Sequence, residues 1–324
     1  MSPSGDNEPP EPVVTPGPGR PPVRTQAGHP AAGSYPPPGP PPPPGPPPPP
    51  APPGPVPIPD NVAFLDVPGA PPVTRGDGGA WLLLALVGFV VGQIVALVAI
   101  AVVAAALGKG SQVAQLSKLS VPPEWLVVSS LVGLWVGFFG APWLASRIRG
   151  TRHFCADLGL RFKWIDLVGI AIGVGGQLLV AIVYAPFIKH LHNFNGPTNK
   201  LTGGAHGGGF AVIALFTIVG APFMEELFFR GLVFKALARL FTPRVATRSL
   251  ARTLGVGSAI VADGLLFGLA HGELAQLGGL ALFGCILAFV TYRTGRLGMN
   301  MVAHASFNAT AIIAVLNTRS GLIH

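Results

Sequence analysis

Three short segments hold side chains that could do chemistry in a chain otherwise poor in such groups. The first is Pro222-Phe223-Met224-Glu225-Glu226-Leu227-Phe228-Phe229-Arg230-Gly231. Glu226 and Arg230 are four apart, so on a helix they share a face and pair. Glu225 points about 100° away and is not neutralised by that arginine. A carboxylate in a low-dielectric surrounding is a stronger base, suited to taking a proton from water. Pro222 lacks an N–H and is expected to kink the helix one turn before the pair. The second segment is Gly264-Leu265-Leu266-Phe267-Gly268-Leu269-Ala270-His271. Gly264, Phe267, Gly268 and His271 fall on one helical face. The two glycines let a neighbouring helix come close. The third is Asn300-Met301-Val302-Ala303-His304-Ala305-Ser306-Phe307-Asn308, with His304 and Asn308 again four apart. One base candidate, two imidazoles and one amide thus lie on three separate helices. Each segment also has a plainer explanation: a packing salt bridge, an interfacial histidine, an interhelical hydrogen-bond clamp.

The elements that must position these groups lie in a membrane. Of 324 residues, 49 % are hydrophobic and only 10 % charged, against about 25 % charged in an ordinary globular domain. Mean hydropathy is +0.54. Apolar runs cover 81–107, 125–146, 165–187, 209–240, 256–271, 274–294 and 297–317. Most reach the roughly 20 residues that cross a bilayer core, and in lipid the backbone must satisfy itself, so they are helices. The expected fold is all-α, a polytopic transmembrane bundle of about seven helices, with eight as the alternative count. The fifth run is the shortest, holds Asp263, and is expected to stop inside the bilayer, with the basic stretch Arg244 to Arg252 along the surface. Trp81, Trp125, Trp143 and Trp164 mark run ends, where indoles favour the interface.

The chain divides into a tail at 1–79, N-terminal membrane helices at 80–200 and a segment at 205–317 carrying all three polar clusters. Thirty of the 37 prolines precede residue 75. That tail is too poor in apolar residues to offset ordering entropy, so it is expected to be disordered with polyproline II character. A partner that reads Pro-rich motifs is one expectation for it, and a tail without a fixed partner is the other. With seven crossings and a cytoplasmic N-terminus, inside segments hold 15 Lys and Arg residues and outside segments 5. That asymmetry favours the orientation and accounts for the net charge of +8 without nucleic acid as a partner. Cys155 and Cys285 form no disulfide framework or zinc-finger spacing. His304 lies 8 to 11 residues beyond Arg293 and Arg296, on the order of 12–16 Å into the bilayer, a depth Glu225 and a tilted His271 also reach.

Glu225, Glu226 and Arg230, then Phe267 and His271, then His304 and Asn308, stand in an order and spacing that resemble the CAAX-processing and bacteriocin-processing (CPBP, or Abi) intramembrane proteases. The family pattern is Glu-Glu-x-x-x-Arg, Phe-x-x-x-His and His-x-x-x-Asn, and residues 205–317 carry it without departure. The resemblance implies an intramembrane endopeptidase of CAAX type. Glu225 would act as general base on a water shared with His271, with His304 and Asn308 stabilising the oxyanion. Glu226, Arg230 and Phe267 would support the site. No cofactor and no metal is expected, because no His-Glu-x-x-His pair stands at close spacing. Zinc is the alternative, since one Glu and two His could ligate it. The substrate would be a membrane-embedded or lipidated peptide or protein in the bilayer, prenylated or not. The alternative to an enzyme is a membrane scaffold or bacteriocin self-immunity protein. Composition points to a bacterial plasma membrane.

Overall fold

The computed structural model describes residues 75–113, 121–188, 202–203, 205, 207–242 and 250–319. Every regular element among them is helical. The main ones are α1 (Arg75–Ala106), α2 (Glu124–Arg149), the short α3 (Phe154–Leu158), α4 (Gly169–Ile188), α5 (Gly207–Phe241), α6 (Leu250–Ala270), α7 (Leu274–Thr294) and α8 (Gly298–Arg319). A 3₁₀ turn, Trp164–Val168, leads into α4. Seven stretches among the described residues are long and apolar enough to cross a membrane. Large apolar side chains such as Leu83, Leu97, Ile182 and Leu254 point outward, as a lipid-facing surface requires.

Lipid tails are as apolar as leucine, so helices in a membrane are held by close packing rather than by a hydrophobic drive. Glycines supply the close approaches. A Cβ on Gly92 would stand 2.8 Å from the Leu134 carbonyl, and one on Gly133 would strike the backbone of Ala96, so α1 and α2 run antiparallel in contact. Gly169 faces Met299 and Ala303, while Gly176 faces Phe307, so α4 and α8 run parallel. Gly264 packs on Ala281 and Cys285, and Gly268 on Leu277, so α6 and α7 form an antiparallel hairpin. The largest core joins α1, α2, α5, α6 and α7, with Phe138 stacked on Phe228 at 4.3 Å.

Four sequence-based expectations change. The helix of the first run begins at Arg75, so residues 75–79 belong to α1 rather than to the tail, and Gly78 meets the Ala236 carbonyl. Residues 1–74, where the tail is expected, lie outside the described residues. Helix α6 starts at Leu250 and has 21 residues, about 32 Å, so it has the length to cross; its first turn takes in Ala251 and Arg252 instead of leaving them on a surface segment. Residues 243–249 lie outside the described residues. Trp81 is buried, its ring 4.0 Å from the Arg239 guanidinium, because α5 supplies a cation that an interface would not. Trp164, by contrast, is exposed.

The fourth change concerns Pro222. Helix α5 widens into π-helical turns at Phe216–Gly220 and Glu226–Val233, on either side of Ala221–Glu225. The Ala221 N–H reaches back five residues to the Phe216 carbonyl. The missing donor is therefore accommodated by a shift of register, one of the known ways a helix absorbs a proline.

Several basic segments meet at one end of the bundle. Arg296 grips Asp166 at 2.7 Å, Leu297 N–H donates to the Gly159 carbonyl, and buried Lys235 donates to the Asp157 carbonyl at 2.7 Å. The Asp157 carboxylate in turn accepts from Ser146 and Thr151.

Candidate active site

Glu225 lies between the two histidines. Its Oε2 is 3.9 Å from His271 Nε2 and 3.8 Å from His304 Nε2, and it accepts no hydrogen bond among the described residues. The histidines present those nitrogens because their other ring atoms are engaged. His271 Nδ1 is 2.8 Å from the Phe267 carbonyl. A carbonyl only accepts, so Nδ1 carries the proton and Nε2 of the neutral ring is a lone pair facing the carboxylate. His304 Nδ1 is 2.8 Å from Glu226 Oε1. Bonds of this kind set which imidazole nitrogen is free to act. The site is largely enclosed: the side chains of Glu225 and His271 are 15 % and 31 % exposed, that of His304 only 4 %.

Adjacent in sequence, Glu225 and Glu226 have different surroundings. Glu226 is fully buried and accepts from Arg230 Nη1 at 3.1 Å, His304 Nδ1 at 2.8 Å and Asn300 Nδ2 at 3.3 Å. The i,i+4 pairing read from spacing is therefore present. Arg230 also donates from Nη2 to the Gly284 carbonyl at 3.1 Å and stacks 4.4 Å over the Phe267 ring. Phe267 has its edge or face toward Arg230, His271 and His304, with ring centroids 4.8 and 5.6 Å from the two imidazoles. It packs edge-on against both imidazoles. Phe283 closes the other side of His304 at 5.8 Å.

Asn308 stands one turn beyond His304 on α8 and donates to the Thr217 carbonyl at 2.7 Å. The proline explains why that carbonyl is available. The Ala221 N–H, its α-helical partner, is taken by Phe216, and its π-helical partner would be Pro222, which has no N–H. One Asn308 hydrogen is thus committed to α5 and one remains. No contact joins Asn308 to Glu225 or His271 among the described residues, so the structure clusters three of the four proposed catalytic groups and places the fourth next to them.

Two side chains of the cluster were not assigned to the site from the sequence. Asp263, fully buried, sits 3.4 Å from Arg230 Nε. Asn300 donates to Thr291 Oγ1 at 2.7 Å and to the Leu287 carbonyl at 2.8 Å as well as to Glu226. A signal was available: Asp263 is one turn before Phe267, and Asn300 one turn before His304, each on the face already marked.

Zinc bonds of about 2.0–2.1 Å hold tetrahedral ligand atoms about 3.3 Å apart. The Glu225 to histidine separations of 3.9 and 3.8 Å exceed that. Among the described residues no group of three or more His, Cys, Asp or Glu side chains is placed to hold a metal ion. As they stand, the Glu225 oxygen and each imidazole nitrogen are set wider apart than tetrahedral zinc ligands.

Residues 207–310, the segment with all of these groups, match the family model described as type II CAAX prenyl endopeptidase Rce1-like. No curated protein and no solved structure matches the chain.

Proposed function

We propose that this chain, whose residues 207–310 match the type II CAAX prenyl endopeptidase Rce1-like family model and whose described residues include seven helices of membrane-crossing length, hydrolyses a peptide bond of a membrane-embedded or lipidated substrate with a water activated by Glu225. The observation that carries the reading is the unpartnered Glu225 Oε2 facing two Nε2 atoms at 3.9 and 3.8 Å. Two acceptors that close together are bridged by a water that donates one hydrogen to each, which is how Glu225 and His271 would orient the nucleophile.

In this mechanism Glu225 takes a proton from the water as its oxygen bonds to the scissile carbonyl carbon. The carbonyl π electrons move to oxygen, giving a tetrahedral oxyanion. His304 donates to that oxyanion from Nε2 in its imidazolium form, with the Glu226 carboxylate behind Nδ1 balancing the charge. The second Asn308 hydrogen is the other donor. Such donors act strongly where water is excluded. Glu225 then passes its proton to the leaving amide nitrogen, the C–N bond breaks, and acid and amine products result. No covalent enzyme intermediate forms. With the N-terminus cytoplasmic, the basic end of the bundle faces the cytoplasm, as the charge asymmetry favours, in a bacterial plasma membrane.

The test is cleavage of a quenched peptide set, including one with a prenylated Cys, by detergent-purified full-length protein. Wild type should cleave, Glu225→Ala should not, and a chelator should leave cleavage intact. Loss of activity with chelator and recovery with zinc would replace the glutamate mechanism by a metal one. Equal activity of wild type and Glu225→Ala would end the protease reading.

A further inference from the structure

The bundle is built differently on the two sides of Glu225. Toward the basic end, every residue of α5 from Glu226 to Ala238 is buried, and on α8 so are Leu297 to Met301, Ala303 and His304. Phe267, Phe283 and Leu287 fill the space between these helices and are fully buried themselves. Water has no route to the site through that layer. Toward the opposite end the burial stops. From Gly207 to Gly220 of α5 only Ile213 is buried, and from Ala305 to Ala311 of α8 only Phe307.

The reason lies in the heights of the helices. Gly255 of α6 meets the Phe241 carbonyl at the basic end, and α6 climbs about 24 Å from there to His271. The chain then reverses at Gly272, with φ +69°, into α7, which descends with Leu277 against Gly268 and Cys285 against Gly264. The turn between α6 and α7 therefore lies level with Glu225, which His271 faces at 3.9 Å. The other helices continue. Helix α8 runs about 22 Å beyond His304 to Arg319, and α5 extends about 25 Å the other way along its chain, where Gly209 meets Glu124 of α2. Helix α4 also passes the turn, with Tyr184 accepting from the Gly279 N–H. Two helices thus end at the site while their neighbours go on, which leaves a recess above the turn. Its floor carries the part-exposed His271 side chain, Gly272, Glu273 and the exposed Leu274. Ionisable groups at such depth are found where water reaches them.

Charge fixes which way the recess faces. Arg147, Arg161, Lys163, Arg293 and Arg296 stand at the closed end, whereas Lys109 and Arg319 are the Lys and Arg residues at the open end among the described residues. Such a bias puts the closed end in the cytoplasm. We propose that the Glu225 site is filled with water and reached by substrate from the non-cytoplasmic side of the membrane, through the recess above the α6–α7 turn. The inference rests on the protease reading and narrows its substrate class: a peptide segment exposed on, or dipping from, the non-cytoplasmic face. A lipidated chain end held at the cytoplasmic leaflet meets the packed layer between the basic end and Glu226 instead of the site.

Labelling by a membrane-impermeant maleimide tests this on the full-length protein, in intact bacterial cells and in inverted membrane vesicles. Cys155, exposed at the basic end, is a built-in reporter once the second thiol is removed by Cys285→Ala. It should label in inverted vesicles and not in intact cells. With both native thiols replaced by alanine, His271→Cys and Leu274→Cys should each label in intact cells and not in inverted vesicles. Two reporters keep the test decisive if one variant fails to fold. Labelling at 271 or 274 from the same side as Cys155 overturns the proposed route. Labelling of Cys155 from outside and of 271 from inside overturns the sidedness and returns a cytoplasmic substrate. Absence of labelling at both positions in folded protein overturns the water-filled recess. Because labelling needs no turnover, failure of wild type to cleave any peptide would count against the protease reading and not against this access route.

Discussion

Replacing Glu225 and Glu226 by glutamine, one at a time, should give opposite kinds of damage. Glu226 is fully buried and its carboxylate receives three donors, from Arg230, His304 and Asn300. In Glu226→Gln one of the two oxygens becomes an NH₂ that faces donors, and Arg230 loses the nearer of its two counter-charges. Breaking a buried ion pair from one side costs about 3–5 kcal/mol. For a chain of this size each kcal/mol moves Tm by about 2–4 °C, so a fall of about 6–20 °C is expected, toward the lower end because Asp263 still faces Arg230 at 3.4 Å. Among the described residues Glu225 accepts no hydrogen bond through Oε2 and has no cation within ion-pair distance other than the histidines. Glu225→Gln should therefore unfold within a few degrees of wild type, while losing roughly 10²–10⁴-fold in kcat as a general base is removed. The assay is thermal unfolding of the purified proteins in one detergent, paired with peptide cleavage. Equal Tm values for the two variants would refute the division into a structural and a chemical glutamate.

Three further outcomes follow from the packing. Gly264→Leu should cost about 1–3 kcal/mol and abolish cleavage, since a Cβ there lies 2.5 Å from Cys285 Sγ and 2.6 Å from the Ala281 carbonyl and would push α6, with His271, off α7; Gly257→Ala on the same helix meets nothing within 4 Å and should be neutral by thermal unfolding. Asn308→Ala should leave the Thr217 carbonyl unpaired, at about 1–3 kcal/mol, and lower kcat by roughly 10²-fold, both measurable in the same assays. Arg296→Gln should destabilise by about 1–3 kcal/mol through buried Asp166 while kcat of the surviving folded protein is unchanged, because that pair lies at the basic end and not at Glu225.

Much of this protein is determined locally. Helix class, the number of spans and the outward apolar surface come from unbroken hydrophobic runs, because lipid offers the backbone no alternative partner. The pairing of Glu226 with Arg230, the shared face of Phe267 and His271, and that of His304 and Asn308 come from helical spacing alone. What spacing does not contain is which face meets which helix. That is decided by the glycine contacts of α6 with α7 and of α4 with α8, where backbones approach only if no Cβ intervenes. Only that packing brings Asp263 and the Gly284 carbonyl to Arg230, and Asn300 to Glu226. It also decides that Trp81 is sealed over Arg239 rather than left at the interface. The widened turns around Pro222 belong to the same class of result: the sequence announces a missing donor, but whether the helix bends or changes register depends on what stands ready to take the freed carbonyl, and here that is Asn308, a residue 91 positions away in the chain.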